Sequence, residues 1–145
     1  MFQEDLGILI AGDCHQKAIQ FTMNLNANTG KVQKKFGILG IAHVSSSVYI
    51  GHLAILGGGS SSVRFIDMKN RKLIGNVLKT EISIIKFMQI CPIINPENND
   101  DWKVFLCVCG TESNNKSLSD VFDITKLVKI MKISFSVIEK AHLTS

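Results

Sequence analysis

The fold is decided by residues 57–75, GGGSSSVRFIDMKNRKLIG. Val, Phe and Ile dominate Ser62–Asp67, apolar residues return in Lys72–Gly75, and a short run of Lys, Asn and Arg lies between the two segments. β-Branched and aromatic residues on both sides of such a polar run predict two antiparallel strands joined by a tight turn. The glycine and serine residues at the start of the stretch predict a flexible hairpin or loop between inner strands.

The hairpin pattern occurs three times along the chain, which predicts a repeat architecture. From Phe21 to the equivalent Phe65 there are 44 residues, and from Phe65 to Phe122 there are 57. The longer interval contains two polar loops, Asn95–Asp101 and Thr111–Asp120. Loop insertions cost little because loop-closure entropy grows slowly with loop length. The drift in spacing is therefore compatible with one repeated unit.

Two dipeptides make the chain resemble the WD-repeat family of β-propellers. Ile66-Asp67 stands where that family has Trp-Asp, and Phe122-Asp123 occupies the same place one repeat later. Blades of the family repeat at roughly 40 to 45 residues with four strands each. The resemblance implies that Asp67 and Asp123 are structural turn residues, whose carboxylates accept hydrogen bonds from backbone amides of the turn.

The repeats and the resemblance predict an all-β fold built from antiparallel four-stranded blades of a β-propeller, within a single domain of residues 1–145. The predicted blades cover residues 6–35, 38–78 and 82–135, with residues 137–143 as an extra first strand. A closed ring typically needs four to eight blades. Three blades therefore indicate a partial propeller, one half of a dimeric ring, or a misassigned repeat that closes as a sandwich.

The predicted strands differ in polarity. Strands that are apolar on both faces are expected between neighbouring sheets, and this pattern occurs at Leu6–Ala11, Val48–Leu56 and Trp102–Cys109. The innermost strands are predicted at Ile38–Val44 and Ile82–Ile90, and the more polar outer strands at Lys72–Leu78 and Lys129–Phe135. The segment Ile82–Ile90 also permits a helix.

Composition limits the class of protein. With 46% hydrophobic and 19% charged residues, the chain is expected to fold rather than to be disordered. No apolar run reaches the roughly 18 residues needed to span a bilayer. Cys107 and Cys109 point to one face of a predicted strand, and no further soft ligands at metal-site spacing accompany them. Reduced thiols are therefore expected, in an intracellular and specifically cytoplasmic protein.

The sequence motifs predict that the chain is not an enzyme, and they predict no catalytic residue, no cofactor and no metal site. The segment Gly57–Ser62 lacks the Lys-Ser/Thr ending of a phosphate-binding loop, and no helix is predicted after it. The histidines are scattered over different predicted strands and turns. Asp13-Cys14-His15 is a weak candidate for an activated thiol, because neighbouring residues on a strand face opposite ways.

A basic rim is predicted from lysine and arginine residues on turns of successive repeats. Its members are Lys31, Lys34, Lys35, Lys69, Arg71 and Lys72. A shared rim of positive charge suits an acidic partner, whereas the alternative is that lysines solvate turns and protect exposed strand edges. Nucleic acid is an unlikely partner because no aromatic residues interleave with the basic ones.

Two functions follow from these patterns. The first is a non-catalytic scaffold that binds protein partners of unknown identity, with a homodimer as one form. The alternative is a small-molecule-binding or catalytic propeller, in which polar residues converge on the central channel. The candidates for that channel are Asp13, His43 and His52.

Overall fold

The computed structural model of the chain describes residues 6–12, 18–24, 29–36, 42–59 and 61–144. These residues form a mostly antiparallel β structure of ten strands in three sheets, followed by two short helices. The N-terminal sheet contains β1 (Leu6–Gly12), β2 (Ala18–Asn24) and β3 (Thr29–Phe36) in sequence order. The predicted strands of this region therefore lie where the hairpin pattern placed them.

The central sheet contains four strands that pair antiparallel in sequence order. They are β4 (Ala42–Ile50), β5 (Leu53–Gly59), β6 (Ser62–Asp67) and β7 (Lys72–Lys79). Each strand hydrogen-bonds to its neighbour along the chain, so the sheet is a meander with β4 and β7 at its edges. Strand β7 contains only half-buried and exposed residues, as predicted for an outer strand.

Two predictions within the central sheet are wrong. Val48–Leu56 is not one strand, because Gly51 adopts a left-handed φ of 55° and turns the chain between β4 and β5. Gly57–Gly59 is not a flexible loop, because these glycines belong to β5. A Cβ atom built on Gly57 would lie 3.0 Å from Sδ of Met88 and 3.1 Å from Cγ2 of Ile85. The absence of a side chain at Gly57 lets β5 pack closely against the next sheet.

The C-terminal sheet contains β8 (Ile84–Asn95), β9 (Asn98–Thr111) and β10 (Ser117–Asp123), with β9 in the middle. Strand β8 confirms the strand prediction at Ile82–Ile90 and excludes the helix. Along β9 the side chains of Val104, Leu106 and Val108 are fully buried, whereas the residues between them are not. This period of two gives the sheet an inner face and an outer face.

The main hydrophobic core lies between the central and C-terminal sheets. Leu53, Ile55 and Val63 of the central sheet belong to the same buried cluster as Leu106 and Val108 of the C-terminal sheet. Strands β4 and β5 pack against β8. The Ser45 hydroxyl donates a hydrogen bond to the Ile85 carbonyl across this junction. The first strands of these two sheets, β4 and β8, therefore lie at the junction between them.

The opposite face of the central sheet is buried as well. Ala54, Leu56, Ile66 and Met68 form a second cluster there, and each is at most 7% exposed. The central sheet is thus apolar and covered on both faces, as predicted for the strand pattern around Leu56.

The end of the chain is helical, which corrects two predictions. Two helices take the place of the predicted strands, α1 (Thr125–Ile130) and α2 (Phe135–Thr144). The predicted strand Lys129–Phe135 spans the end of α1, the connection and the first residue of α2, and residues 137–143 lie within α2. In α2 the buried Ile138 and the half-buried Phe135 and Ala141 recur at a spacing of three, while Glu139 and Lys140 are exposed. This is the spacing of a helix with one apolar face.

The helices close the core from one side. Val128 of α1 and Ile138 of α2 join the main core cluster, and α1 packs against β9 while α2 packs against β8 and β4. As a result, the C-terminal sheet contains three strands rather than the four predicted for residues 82–135.

Candidate interaction surface

The outer face of the C-terminal sheet carries a group of apolar side chains that remain partly exposed to solvent. Phe87, Ile93 and Val121 are 54%, 57% and 64% exposed. Register places them on the same face: Phe87 lies opposite Cys109, and Val121 lies opposite Cys107. We call this group, together with the half-buried Phe105 and the cysteines between them, the outer apolar face.

Three cysteines lie in the middle of the outer apolar face. Cys91 is in β8, whereas Cys107 and Cys109 are in β9, and all three are free and half-buried. The sulfur atoms of Cys91 and Cys107 are 3.5 Å apart. Burial, with contributions from the neighbouring Cys91 and Cys109, raises the pKa of Cys107 above its ordinary value. The three described cysteines form no disulfide, and their reduced state stays a prediction.

Charged residues lie toward both ends of this face, because Lys86 lines a surface pocket with Cys109 at one end, and Lys103 and Asp123 lie at the other. Lys103 in β9 lies opposite Ile93, and Asp123 ends β10 opposite Phe105. The Thr125 side chain and amide hydrogen-bond to Asp123, and Lys103 and Lys129 lie nearby, so the pKa of Asp123 falls below its ordinary value. The outer apolar face therefore has charged residues at its ends and one exposed amide, Gln89 opposite Cys107, among its apolar side chains, and such a mixture occurs in protein interfaces.

Asp67 lies at the turn between β6 and β7, where the sequence placed a structural turn residue. Its Oδ1 accepts hydrogen bonds from the Lys69 amide at 3.0 Å and the Asn70 amide at 3.1 Å, and its Oδ2 accepts one from Asn70 Nδ2 at 2.7 Å. Arg71 completes the turn with a left-handed φ of 56°. Asp67 is 4% exposed. It therefore satisfies the turn amides within a buried site.

The ionisation of Asp67 follows from the same contacts. Burial raises the pKa of the Asp67 carboxyl, but the hydrogen bonds from Asn70 and Lys69 and the nearby His52 outweigh it, so the net shift is downward. The charged form is the one that the turn stabilises.

Asp123 occupies a different kind of turn. It accepts a hydrogen bond from the Thr125 amide at 2.9 Å, and Thr125 begins α1. Thr125 also accepts a hydrogen bond from the Val104 amide at 2.9 Å. Asp123 thus redirects the chain from a strand into a helix that is fastened to β9, rather than into a second strand.

The predicted basic rim is divided between turns and strands. Lys69 and Arg71 lie in the β6–β7 turn and Lys72 begins β7, but Lys31, Lys34 and Lys35 all lie within β3. The two groups are therefore not on equivalent turns, and that part of the prediction is wrong. Pairing between β2 and β3 continues past an irregularity at Gln20/Phe21, which keeps residues 29–36 extended. Because β3 is an edge strand, its lysines suit the protection of that edge.

The residues of the alternative channel site are only partly described. His52 lies in the turn between β4 and β5, where its carbonyl accepts a hydrogen bond from the Met68 amide at 2.8 Å. His43 lies in β4, but its side chain is outside the described part of the structure, as are Asp13, Cys14 and His15. The convergence that the alternative function requires stays a prediction.

Sequence reasoning did not identify the outer apolar face as an exposed surface. The signal was present in β9, where Trp102–Cys109 is apolar on both faces. That pattern predicted covering on both sides, and for this strand the prediction is wrong, because the outer side chains of the sheet are only partly covered. Neither helix of the described chain is long and apolar enough to cross a membrane. Comparison of the sequence with protein-family models and with curated proteins finds no significant match.

Proposed function

We propose that this chain is a non-catalytic, WD-repeat-like β-propeller segment that serves as a scaffold for protein–protein interaction. The observation that carries the proposal is the outer apolar face, where Phe87, Ile93 and Val121 are each more than half exposed. Contiguous exposed apolar patches on folded proteins mark interaction sites. The partner we propose for this face is a second β-sheet with an apolar face of its own.

The central sheet supports the propeller part of the proposal. Its four strands pair in sequence order, as those of a blade do. Both of its faces are buried, and Asp67 holds the turn between its third and fourth strands. The C-terminal sheet packs against it through first strands β4 and β8. A further blade stacked on the outer apolar face would continue the same arrangement.

The proposed partner is either another part of a larger propeller or a second copy of this chain. In both cases the apolar middle of the face would be covered by apolar residues, and Lys103 and Asp123 would remain at the rim. The reduced cysteines suit the cytoplasm, which we propose as the compartment.

The test is the mass of the chain in solution, measured by light scattering for the wild type and for Val121→Lys. A self-associating wild type should exceed the 16.0 kDa chain mass, and Val121→Lys should return it to that mass. If the wild type is a monomer, the same pair of proteins is used as bait, and partners retained by the wild type should be lost with the variant.

The matched control is Asn76→Lys, which adds the same charge to an exposed position on edge strand β7. This variant should leave both the mass in solution and the set of retained partners unchanged. A Val121→Lys protein that folds normally and keeps the wild-type mass and partners would show that the outer apolar face is not the interaction surface.

A further inference from the structure

Cys91 and Cys107 face each other closely enough for covalent chemistry. Their sulfur atoms are 3.5 Å apart, and both side chains are partly open to solvent on the outer apolar face. A disulfide requires an S–S distance of about 2.05 Å. The two sulfurs therefore need to approach by roughly 1.5 Å, through rotation of both side chains together with a small shift of the two strands toward each other.

Register makes this pair diagonal rather than directly opposite. Cys91 lies opposite Phe105, and Cys107 lies opposite Gln89. Diagonal partners in an antiparallel ladder have Cα atoms roughly 7 to 8 Å apart, at or beyond the upper end of the range for disulfides. A disulfide here would form under strain, and strained exposed disulfides are readily reduced.

We propose that Cys91 and Cys107 form a reversible oxidation site, in which a hydroperoxide converts the two thiols to a cross-strand disulfide. One thiol, as its thiolate, attacks an oxygen of hydrogen peroxide, the O–O bond breaks, and a sulfenic acid forms while the departing hydroxide takes up the thiol's proton and leaves as water. The second thiol then attacks the sulfenic sulfur, the S–S bond forms, and a second water leaves. In total the two thiols lose two electrons and two protons, and hydrogen peroxide is reduced to two waters.

The third cysteine serves as an internal reference. Cys109 follows Cys107 by two positions on the same face, so it lies about 6.8 Å further along the strand. Cys109 is opposite Phe87 and Ser119 and is not paired in register with Cys91. Because the distance between the sulfurs decides which thiols can be linked, oxidation should join Cys91 to Cys107 and leave Cys109 free.

The protonation state of the attacking thiol sets the rate of its oxidation by peroxide. Because the pKa of Cys107 is raised by burial and by its sulfur neighbours, little thiolate is present there at neutral pH. Attack by Cys107 should therefore be slow at neutral pH, and it should become faster by up to roughly ten-fold per pH unit as the pH rises toward the pKa of that thiol.

The inference does not rest on the proposed function, since it concerns two side chains of one sheet. The experiment uses the full chain with Cys14→Ser, which removes the cysteine outside the described residues. The protein is treated with hydrogen peroxide, blocked with N-ethylmaleimide and digested without reductant. Mass spectrometry should find a Cys91–Cys107 linked peptide that disappears after treatment with dithiothreitol.

Two variants sharpen the result. Cys109→Ser should form the same linked peptide at a similar rate, whereas Cys91→Ser should form no intramolecular link. Urea unfolding of each variant checks that the sheet is intact. The inference is overturned if Cys107 or Cys91 links to Cys109, if the link joins two chains, or if folded protein gives only sulfinic acids or unreacted thiols.

Discussion

The central and C-terminal sheets are built from similar strands but bury them differently. In β5, Leu53, Ala54, Ile55 and Leu56 are all at most 1% exposed, so both faces of the strand are covered. In β9, buried residues alternate with half-buried ones. Apolar residues on both faces therefore indicate what a strand is able to bury, whereas the neighbours in the fold decide what it does bury.

The difference between the sheets bears on the stability of the fold and on the proposed interaction. A fully covered side chain contributes its transfer free energy and its packing to folding. An apolar side chain more than half exposed contributes much less to folding, and it remains available to a partner. The central sheet is accordingly expected to dominate stability, and the outer apolar face to dominate association.

The largest contrast is expected from truncating one aliphatic side chain in each sheet. Leu56→Ala removes a side chain that is 1% exposed, and should lower the free energy of unfolding by about 2 to 5 kcal/mol. Ile93→Ala, at a position 57% exposed, should change it by less than about 0.5 kcal/mol. Urea denaturation measures both. Equal losses would show that the two sheets are covered to the same extent in solution.

The next contrast compares the two aspartates. Asp67→Ala leaves the Lys69 and Asn70 amides without their acceptor in a buried turn, and should cost about 1 to 3 kcal/mol of unfolding free energy. Asp123→Ala should cost less because Asp123 is exposed. Thermal and urea unfolding of both variants provide the measurement. An unchanged melting temperature for Asp67→Ala would refute the turn role.

A smaller effect is expected from Gly57→Ala, which tests how closely the two sheets pack. The added methyl would approach Sδ of Met88 to 3.0 Å, but that side chain is flexible. The expected cost is about 1 kcal/mol, at the low end for overpacking. In a double-mutant cycle with Met88→Ala, the cost of the methyl should fall, and the remainder should come from its contact with Cγ2 of Ile85 at 3.1 Å. If the losses of unfolding free energy in the two single variants simply add in the double variant, the methyl at position 57 does not contact Met88.

The smallest effect is a loss of stability at low pH that comes from Asp67 in the β6–β7 turn. The pKa of Asp67 is lower in the folded chain than in the unfolded chain, so its charged form stabilises folding above about pH 3.9. That contribution is lost as the pH falls through the folded pKa. Between about pH 6 and pH 3, the wild type should therefore lose more stability than Asp67→Asn. Parallel losses would indicate that Asp67 is not charged in the native turn.

Local patterns were the most predictable part of the fold. Strand β6, its turn and β7 follow from residues close together in sequence, because the hydrogen bonds of the turn join Asp67 to residues two and three positions away. The C-terminal helices were missed although Phe135, Ile138 and Ala141 carry a helical spacing. Short apolar segments fit a strand or a helix, and only packing against the core distinguishes the two.

The candidate surface was less predictable than the strands that form it. Cys91 and Cys107 are 16 residues apart, and their closeness depends on the register between β8 and β9. Likewise, the basic residues of β3 were assigned to a turn, because an edge strand with lysines has the same composition as a solvated turn.

The sequence by itself determined the antiparallel β class, the hairpin meander of the central sheet and the aspartate turn. These depend on alternation and on hydrogen bonds within a few residues. Only the tertiary structure decided that the end of the chain is helical, that Gly57 lies at a sheet junction, and that one face of the C-terminal sheet stays partly exposed. Burial is a property of neighbours brought together from distant parts of the chain, and no local pattern contains it.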